Sequence, residues 1–240
     1  MNSFFKSDIG RNRSTNQDEV VVVKKDELIL AILCDGMGGP KGGQFAARTC
    51  IGVFKEEFSK FNLENETKTK DWLYKTTIKA NDKILKKAKS DTSSSGMGTT
   101  LVALLITPKF DVFASVGDSR LYRYDEDKFT QLSEDQTFVA ALLRAGYISN
   151  EQAKDHPRKS MLLSAVGSGE SIDLDVQINT IEEKGNYFLC SDGVYNMLSD
   201  VEIFAVLSSK LKISDKGNKI VDLSNEKGGI DNIGVIILER

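Results

Sequence analysis

The sequence predicts an α+β fold of packed antiparallel sheets with helices outside. Strand-like and helix-like segments come in blocks and not in strict βαβ alternation, which favours antiparallel sheets. The chain has 240 residues, enough for one domain or at most two, and only three prolines to force breaks. No repeat of about 20–50 residues and no long linker divides it.

Three strands open the chain: Ser3–Asp8, Glu19–Lys24 and Leu28–Cys34. Each is a short β-branched or apolar run bounded by turn residues. After a glycine-rich loop, Gln44–Phe58 reads as a helix, because Ala47, Ile51, Phe54 and Phe58 recur at spacings of four, three and four. A second helix runs from about Thr69 to Lys89. Leu73, Thr77, Ala80, Ile84 and Ala88 line one face of it, and lysines the other, so Lys86, Lys87 and Lys89 read as a solvated face. Asp91–Gly98 is a Ser/Gly loop, followed by strands at Thr99–Ile106, Asp111–Val116 and Arg120–Tyr124. Residues 133–165 mix polar and helix-forming pieces, with a capping box at Ser149 and Gln152, and read as an inserted flap. Strands return at Ile172–Ile178 and Asn186–Cys190. A helix follows Ser199, capped through Glu202, a short one lies near Lys216–Leu223, and Ile233–Leu238 is the last strand.

Composition narrows the chemistry. Net charge is −3, against the basic field of a general nucleic-acid binder. No apolar run approaches the roughly 18 residues that span a bilayer. Met1–Lys6 lacks the charged start and apolar core of a secretory signal. The three cysteines, Cys34, Cys50 and Cys190, form no CxxC pair; an odd count without a signal reads as reduced thiols in a cytoplasmic protein. His156 is the one histidine. A His-rich zinc site is therefore impossible, and a Ser-His-Asp triad would have to use that residue. Metal chemistry must rest on oxygen ligands, which select magnesium, manganese or calcium.

The acids fall in a pattern. Leu28–Cys34 ends in Asp35-Gly36, Asp111–Val116 in Gly117-Asp118 and Asn186–Ser191 in Asp192-Gly193, while Asp231-Asn232 opens the final strand. A single Asp-Gly is an ordinary turn. Four acids at strand termini, each a short carboxylate in a fixed place, point to one site. Clustered carboxylates repel, so such a site costs stability unless cations neutralise it. Two hard cations would do so. The run Asp35–Gly43 is glycine-rich and precedes a helix, but no Gly-Lys-Ser/Thr closes it and its glycines lack dinucleotide spacing. It leads with an acid, which suits a metal and not a bare phosphate.

In this order the motifs resemble those of the PPM-type metal-dependent protein phosphatases, the protein phosphatase 2C family, in its compact bacterial form. Gly10–Asp18 is similar to the family's N-terminal arginine and Asn-Glu/Gln-Asp motif, and Leu33–Gly39 to its Asp-Gly-Met-Gly-Gly motif. Gly98-Thr99-Thr100, Gly117–Arg120, Leu163–Gly167, Cys190–Gly193 and Asp231-Asn232 follow. The resemblance covers nearly all of the chain. It implies one domain over residues 1–240 with the flap at about 133–165. It also implies a four-layer α-β-β-α sandwich, with metals at one end of two antiparallel sheets.

The resemblance further implies roles. Asp35, the Gly36 carbonyl, Asp192 and Asp231 would hold a central pair of Mn2+ or Mg2+ ions, Asp35 bridging them. Asp18 would act there directly or through water. Asp118 would hold a third, weaker ion with Asp192. Arg13 would grip the substrate phosphate with its planar fork. A metal-activated water would then attack the phosphorus of phosphoserine or phosphothreonine in line, without a phosphoenzyme. The substrates would be phosphorylated proteins, targets of a partner serine/threonine kinase, acted on by a cytoplasmic monomer that binds neither nucleic acid nor membrane. A catalytically silent phosphoprotein-binding signalling module on the same fold is the alternative, favoured only if a metal-site acid were missing.

Two positions depart from the family's pattern. Met37 stands where many eukaryotic members place a histidine as general acid. The proton donor is then His156, in the flap, or water on a third metal, and the simpler reading of His156 is a flap-packing residue. Gln17 replaces an acid of many relatives, which is expected to alter only the surroundings of the ligands. Cys34 and Cys190, each beside a metal-binding aspartate, read as small buried strand residues.

Overall fold

The computed structural model describes residues 1–90, 96–169 and 174–240. Its elements run β1 (Asn2–Asp8), β2 (Asp18–Lys25), β3 (Leu28–Met37), α1 (Pro40–Lys60), α2 (Glu66–Ser90), β4 (Gly98–Thr99), β5 (Leu101–Ile106), β6 (Asp111–Val116) and β7 (Arg120–Tyr124). They continue with β8 (Phe129–Gln131), α3 (Phe138–Arg144), α4 (Asn150–Lys154), β9 (Gln177–Ile181), β10 (Asn186–Cys190), α5 (Asp192–Tyr195), α6 (Asp200–Leu207), α7 (Ile213–Glu226) and β11 (Ile233–Glu239). One sheet has the order β1-β11-β10-β7-β8, and the other β2-β3-β5-β6-β9 with β4 on β3. Neighbouring strands are antiparallel throughout.

Side-chain alternation explains the layers. Successive residues of a strand face opposite sides of the sheet. Along β3, Leu28, Leu30, Ile32 and Cys34 join the core shared with α1 and α2, whereas Ile29, Ala31 and Leu33 join the core between the sheets. In β10, Phe188 and Cys190 face the helices of the other side, and Tyr187 and Leu189 face the inter-sheet core. Both faces are covered, so Leu28–Cys34 and Tyr187–Cys190 run without a charged residue or an exposed polar one. Three cores therefore separate four layers, an α-β-β-α sandwich.

Several boundaries differ from the sequence reading. Helix α1 starts at Pro40 and not at Gln44, so the second half of the glycine-rich run is helical. Proline suits a first turn, whose N–H groups have no helical partner. The expected strand Thr99–Ile106 breaks at Thr100, which turns to bind Asp35. The strand expected at Ile172–Ile178 is β9, Gln177–Ile181, set by its pairing with Asp111–Ser115; residues 172–173 lie outside the described residues. The Ser/Gly loop over 91–98 falls outside them at 91–95. Helix α7 is longer than Lys216–Leu223. Strand β8 and helix α5, of three and four residues, are too short for periodicity to reveal.

Both expected capping boxes form, Ser149 with Gln152 and Ser199 with Glu202. Residues 133–165, expected to form a flap, carry α3 and α4. The segment is tied to its own base by Phe138 N–H to the Met161 carbonyl at 2.8 Å and Leu163 N–H to the Gln136 carbonyl at 2.8 Å. Among the described residues no helix is long and apolar enough to cross a membrane.

Candidate active site

The acids sit where the inter-sheet core ends. Asp35 follows Leu33 on the same face of β3, and Asp18 is its cross-strand partner on β2. Both carboxylates thus project between the sheets at one end. Directly opposed like charges destabilise a strand pair, so this placement needs compensation.

Part of it comes from the other sheet. Asp18 Oδ2 accepts a 2.5 Å hydrogen bond from Ser191 Oγ, which itself accepts from Gly234 N–H at 2.8 Å. Asp18 is 3% exposed, and its Oδ1 has no hydrogen-bond partner among the described residues. Asp35 is fixed through its backbone: its N–H donates to Thr100 Oγ1 at 2.9 Å, and its carbonyl accepts from Thr100 N–H at 2.8 Å and Thr99 Oγ1 at 2.9 Å. Gly36 lies against the start of α1; a Cβ there would stand 2.3 Å from the Gly43 carbonyl oxygen. Asp118 follows Gly117 in the turn from β6 to β7, and Gly117 N–H donates to Gln136 Oε1 at 2.7 Å. Asp192 begins α5 and accepts from Asn196 Nδ2 at 3.1 Å. Packing of this turn requires glycine at 193, where a Cβ would lie 1.9 Å from the Asn232 carbonyl oxygen.

Arg13, Asp35, Gly36, Asp118, Asp192 and Asp231 line one cavity of about 630 Å³, together with Ser160, Met161 and Leu162 of the segment after α4. Asp18 does not line it but is buried behind Asp35. Arg13 pairs with Asp231, Nη2 to Oδ2 at 2.6 Å, with the arginine side chain 52% exposed. That contact, first by hydrogen bond and then by charge, raises the Arg13 pKa. His156 is not among the cavity-lining residues. It packs against Phe138 with ring centroids 5.8 Å apart, and its Nδ1 accepts from Arg158 N–H at 3.1 Å, as a packing residue would.

Electrostatics follow from burial and crowding. Desolvation pushes Asp18 up to about 7, partly offset by the Ser191 hydrogen bond. Desolvation and then the charges of Asp118 and Asp231 push Asp192 up to about 8. Burial, then Asp135, raises Asp118 to about 6. Asp35 is driven well above the carboxylate range by burial, then by Asp18, Asp192, Asp118 and Asp231. A site that resists its own ionisation in this way fits bound cations. The oxygen-only donor set and the orphaned Asp18 Oδ1 fit a hard divalent ion. Among the described residues no group of three or more acids, histidines or cysteines is gathered tightly enough to hold a metal as it stands. The acids are engaged singly, Asp231 with Arg13, Asp18 with Ser191 and Asp192 with Asn196.

Three residues with no role in the sequence reading prove structural. Asn232 Oδ1 accepts from Gln17 N–H at 2.9 Å, and its Nδ2 donates to the carbonyls of Ile9 at 2.8 Å and Thr15 at 3.0 Å. It therefore fixes the loop that presents Arg13. Ser191 joins the two sheets at the acids, and Thr100 holds Asp35. Each adjoins a motif already singled out, but adjacency alone does not tell a support from a spacer. Gln17 Nε2 donates to the Gly39 carbonyl at 2.7 Å, so it braces the glycine-rich loop. Cys34 and Cys190 are buried, and burial pushes both thiols up.

Comparison with known proteins agrees with this geometry. The family model described as Protein phosphatase 2C matches residues 9–219. The chain is 37% identical to the serine/threonine phosphatase stp of Listeria innocua over 242 aligned positions, covering 100% of this chain and 96% of that protein. It superposes on the Streptococcus agalactiae serine/threonine phosphatase with a TM-score of 0.92 and 31% identity, covering 99% of this chain and 98% of that one. It also superposes on the catalytic domain of the protein phosphatase PstP in complex with two manganese ions, with a TM-score of 0.86 and 26% identity over 99% of this chain and 97% of that one. The chain belongs to the protein phosphatase 2C family, the metal-dependent protein serine/threonine phosphatases.

Proposed function

We propose that this site hydrolyses phosphoserine and phosphothreonine in proteins with two divalent ions, Mn2+ or Mg2+. Asp35, the Gly36 carbonyl, Asp192 and Asp231 would hold the pair, Asp18 would stand behind Asp35 in direct or water-mediated support, and Asp118 with Asp192 would hold a third, weaker ion. The ions supply an activated water and neutralise phosphoryl charge when bound. The observation that carries this reading is the convergence of carboxylates from both sheets on one cavity, with the unpartnered Oδ1 of Asp18 buried behind them. The manganese-bound relative supports it.

The protein's own groups divide the remaining work. Arg13 sits half-exposed at the rim with donors beyond the one on Asp231, so its fork can take a phosphoryl oxygen pair. Because Arg13 and Asp231 are partners here, ion and phosphate would enter as that pair separates, each charge exchanging one partner for another. Asp18 stays buried and sets the field around Asp35. Among the described residues no cysteine or serine–histidine pair lines the cavity, consistent with attack by water and no phosphoenzyme. We place the enzyme in the cytoplasm as a one-domain monomer, acting on the targets of a partner serine/threonine kinase.

The test is direct. Asp35→Ala and Asp192→Ala are expected to abolish turnover of an aryl phosphate, and excess chelator should stop the wild type until manganese is restored. Full activity in either variant would remove the assignment. Phosphopeptide binding without turnover in the metal-loaded wild type would favour a silent binding module.

A further inference from the structure

Beside the catalytic cavity lies a second groove, of about 370 Å³, along the outer side of α1. Lys41, Gln44, Phe45, Arg48 and Gly52 form its floor at helical spacing, and Lys83 of α2 forms its far wall. The two hollows adjoin along the chain, since Gly39 lines the first and Lys41 the second. Among the described residues three cations and no carboxylate line the groove, in a chain of net charge −3. Glu19 stands outside it and engages Arg48 at 2.6 Å. Glu56 also lies outside, close enough to feel Lys83. Phe45 is 40% exposed, and a Cβ on Gly52 would meet nothing within 4 Å, so the floor is open and partly apolar.

We infer that this groove docks an acidic, extended segment of the protein substrate, next to the residue whose phosphate enters the catalytic cavity. The inference rests on the phosphatase reading for the identity of the occupant. Charge complementarity selects acidic side chains, and lysines suit carboxylates arriving in varied geometry. The eleven helical steps from Lys41 to Gly52 span about 16 Å, the length of about five residues of extended chain. The segment lays alternate side chains towards Lys41 and Lys83, and Phe45 takes the aliphatic part of the intervening ones.

The experiment compares phosphothreonine peptides of equal length that carry runs of glutamate or of glutamine on either side of the phosphorylated residue. The manganese-loaded full chain is assayed on these and on an aryl phosphate too small to reach the groove. The wild type is expected to prefer a glutamate peptide by about tenfold in kcat/KM, with the preference shrinking as salt rises. The double variant Lys41→Glu, Lys83→Glu should lose that preference while keeping aryl phosphate turnover. Glutamate in the first turn of α1 suits the helix dipole, so the fold is retained. Lys83→Gln alone should lose part of the preference, and a melting curve for each variant checks folding. Equal rates on the two peptide classes in the wild type, or an undiminished preference in the double variant, would overturn the inference. If the wild type turned over no phosphate ester, the phosphatase reading would fail separately. Fluorescence anisotropy of the unphosphorylated glutamate peptide, compared between wild type and double variant, would still decide the groove.

Discussion

Replacing Asp18 with asparagine should stabilise the metal-free protein at neutral pH while damaging its metal binding. Asp18 is 3% exposed, and its pKa rises from 3.8 to about 7, chiefly through desolvation. Between those values the native state binds more protons than the unfolded chain, so stability falls as pH rises through that window. A rise of about three units, at about 1.4 kcal/mol each, sets the cost near 4 kcal/mol once both states are ionised. Asp192 and Asp118 act with the same sign. Asparagine carries no charge, keeps an acceptor for Ser191 Oγ, and can turn its amide towards Asp35. In chelator, the Asp18→Asn protein should therefore match the wild type near pH 4 and exceed it by about 2–4 kcal/mol near pH 8. For a chain of this size that is roughly 5–15 °C in melting temperature. Thermal melts across that range at constant ionic strength measure it. Manganese should stabilise the wild type most at the alkaline end, and the variant much less. A metal-free wild type equally stable near pH 5 and pH 8, or a variant whose pH slope parallels it, would refute the reasoning.

Other substitutions probe the supports. Gly193→Ala forces a methyl to within 1.9 Å of the Asn232 carbonyl oxygen, and should cost about 3 kcal/mol or more, seen as a lowered denaturation midpoint. Asn232→Ala removes the bonds to Ile9, Thr15 and Gln17, at a cost of about 2–4 kcal/mol. With the Arg13 loop released, KM for a phosphopeptide should rise more than kcat falls; unchanged kinetics would mean that the loop holds itself. His156→Ala should leave the ratio of phosphoserine to aryl phosphate turnover within about twofold of wild type. A selective loss on phosphoserine would instead assign the proton donation to this histidine.

Much of the fold was legible because it depends on local pattern. The apolar runs of Leu28–Cys34 and Asn186–Cys190, the α1 spacing and the two capping boxes are properties of short windows. So is an acid beside a glycine at the end of an apolar run. The errors fall where tertiary partners decide: Thr100 interrupts a strand because it binds Asp35, and β9 begins where β6 gives it a partner.

The candidate site divides in the same way. Sequence alone singled out Asp35, Asp118, Asp192 and Asp231 by their place at strand termini, and all four line the cavity, whereas Asp18 and Arg13 entered through the family resemblance. The folded chain decided where each acid sits and what it touches. Asp18 is buried behind the cavity against Ser191, 173 residues away, and Arg13 meets Asp231 across 218 residues. Such contacts are set by how two sheets stack and which ends coincide, a relation that no window of sequence contains. The same stacking takes four layers of apolar side chains to their limit at one edge, where the carboxylates begin and water or cations must take over.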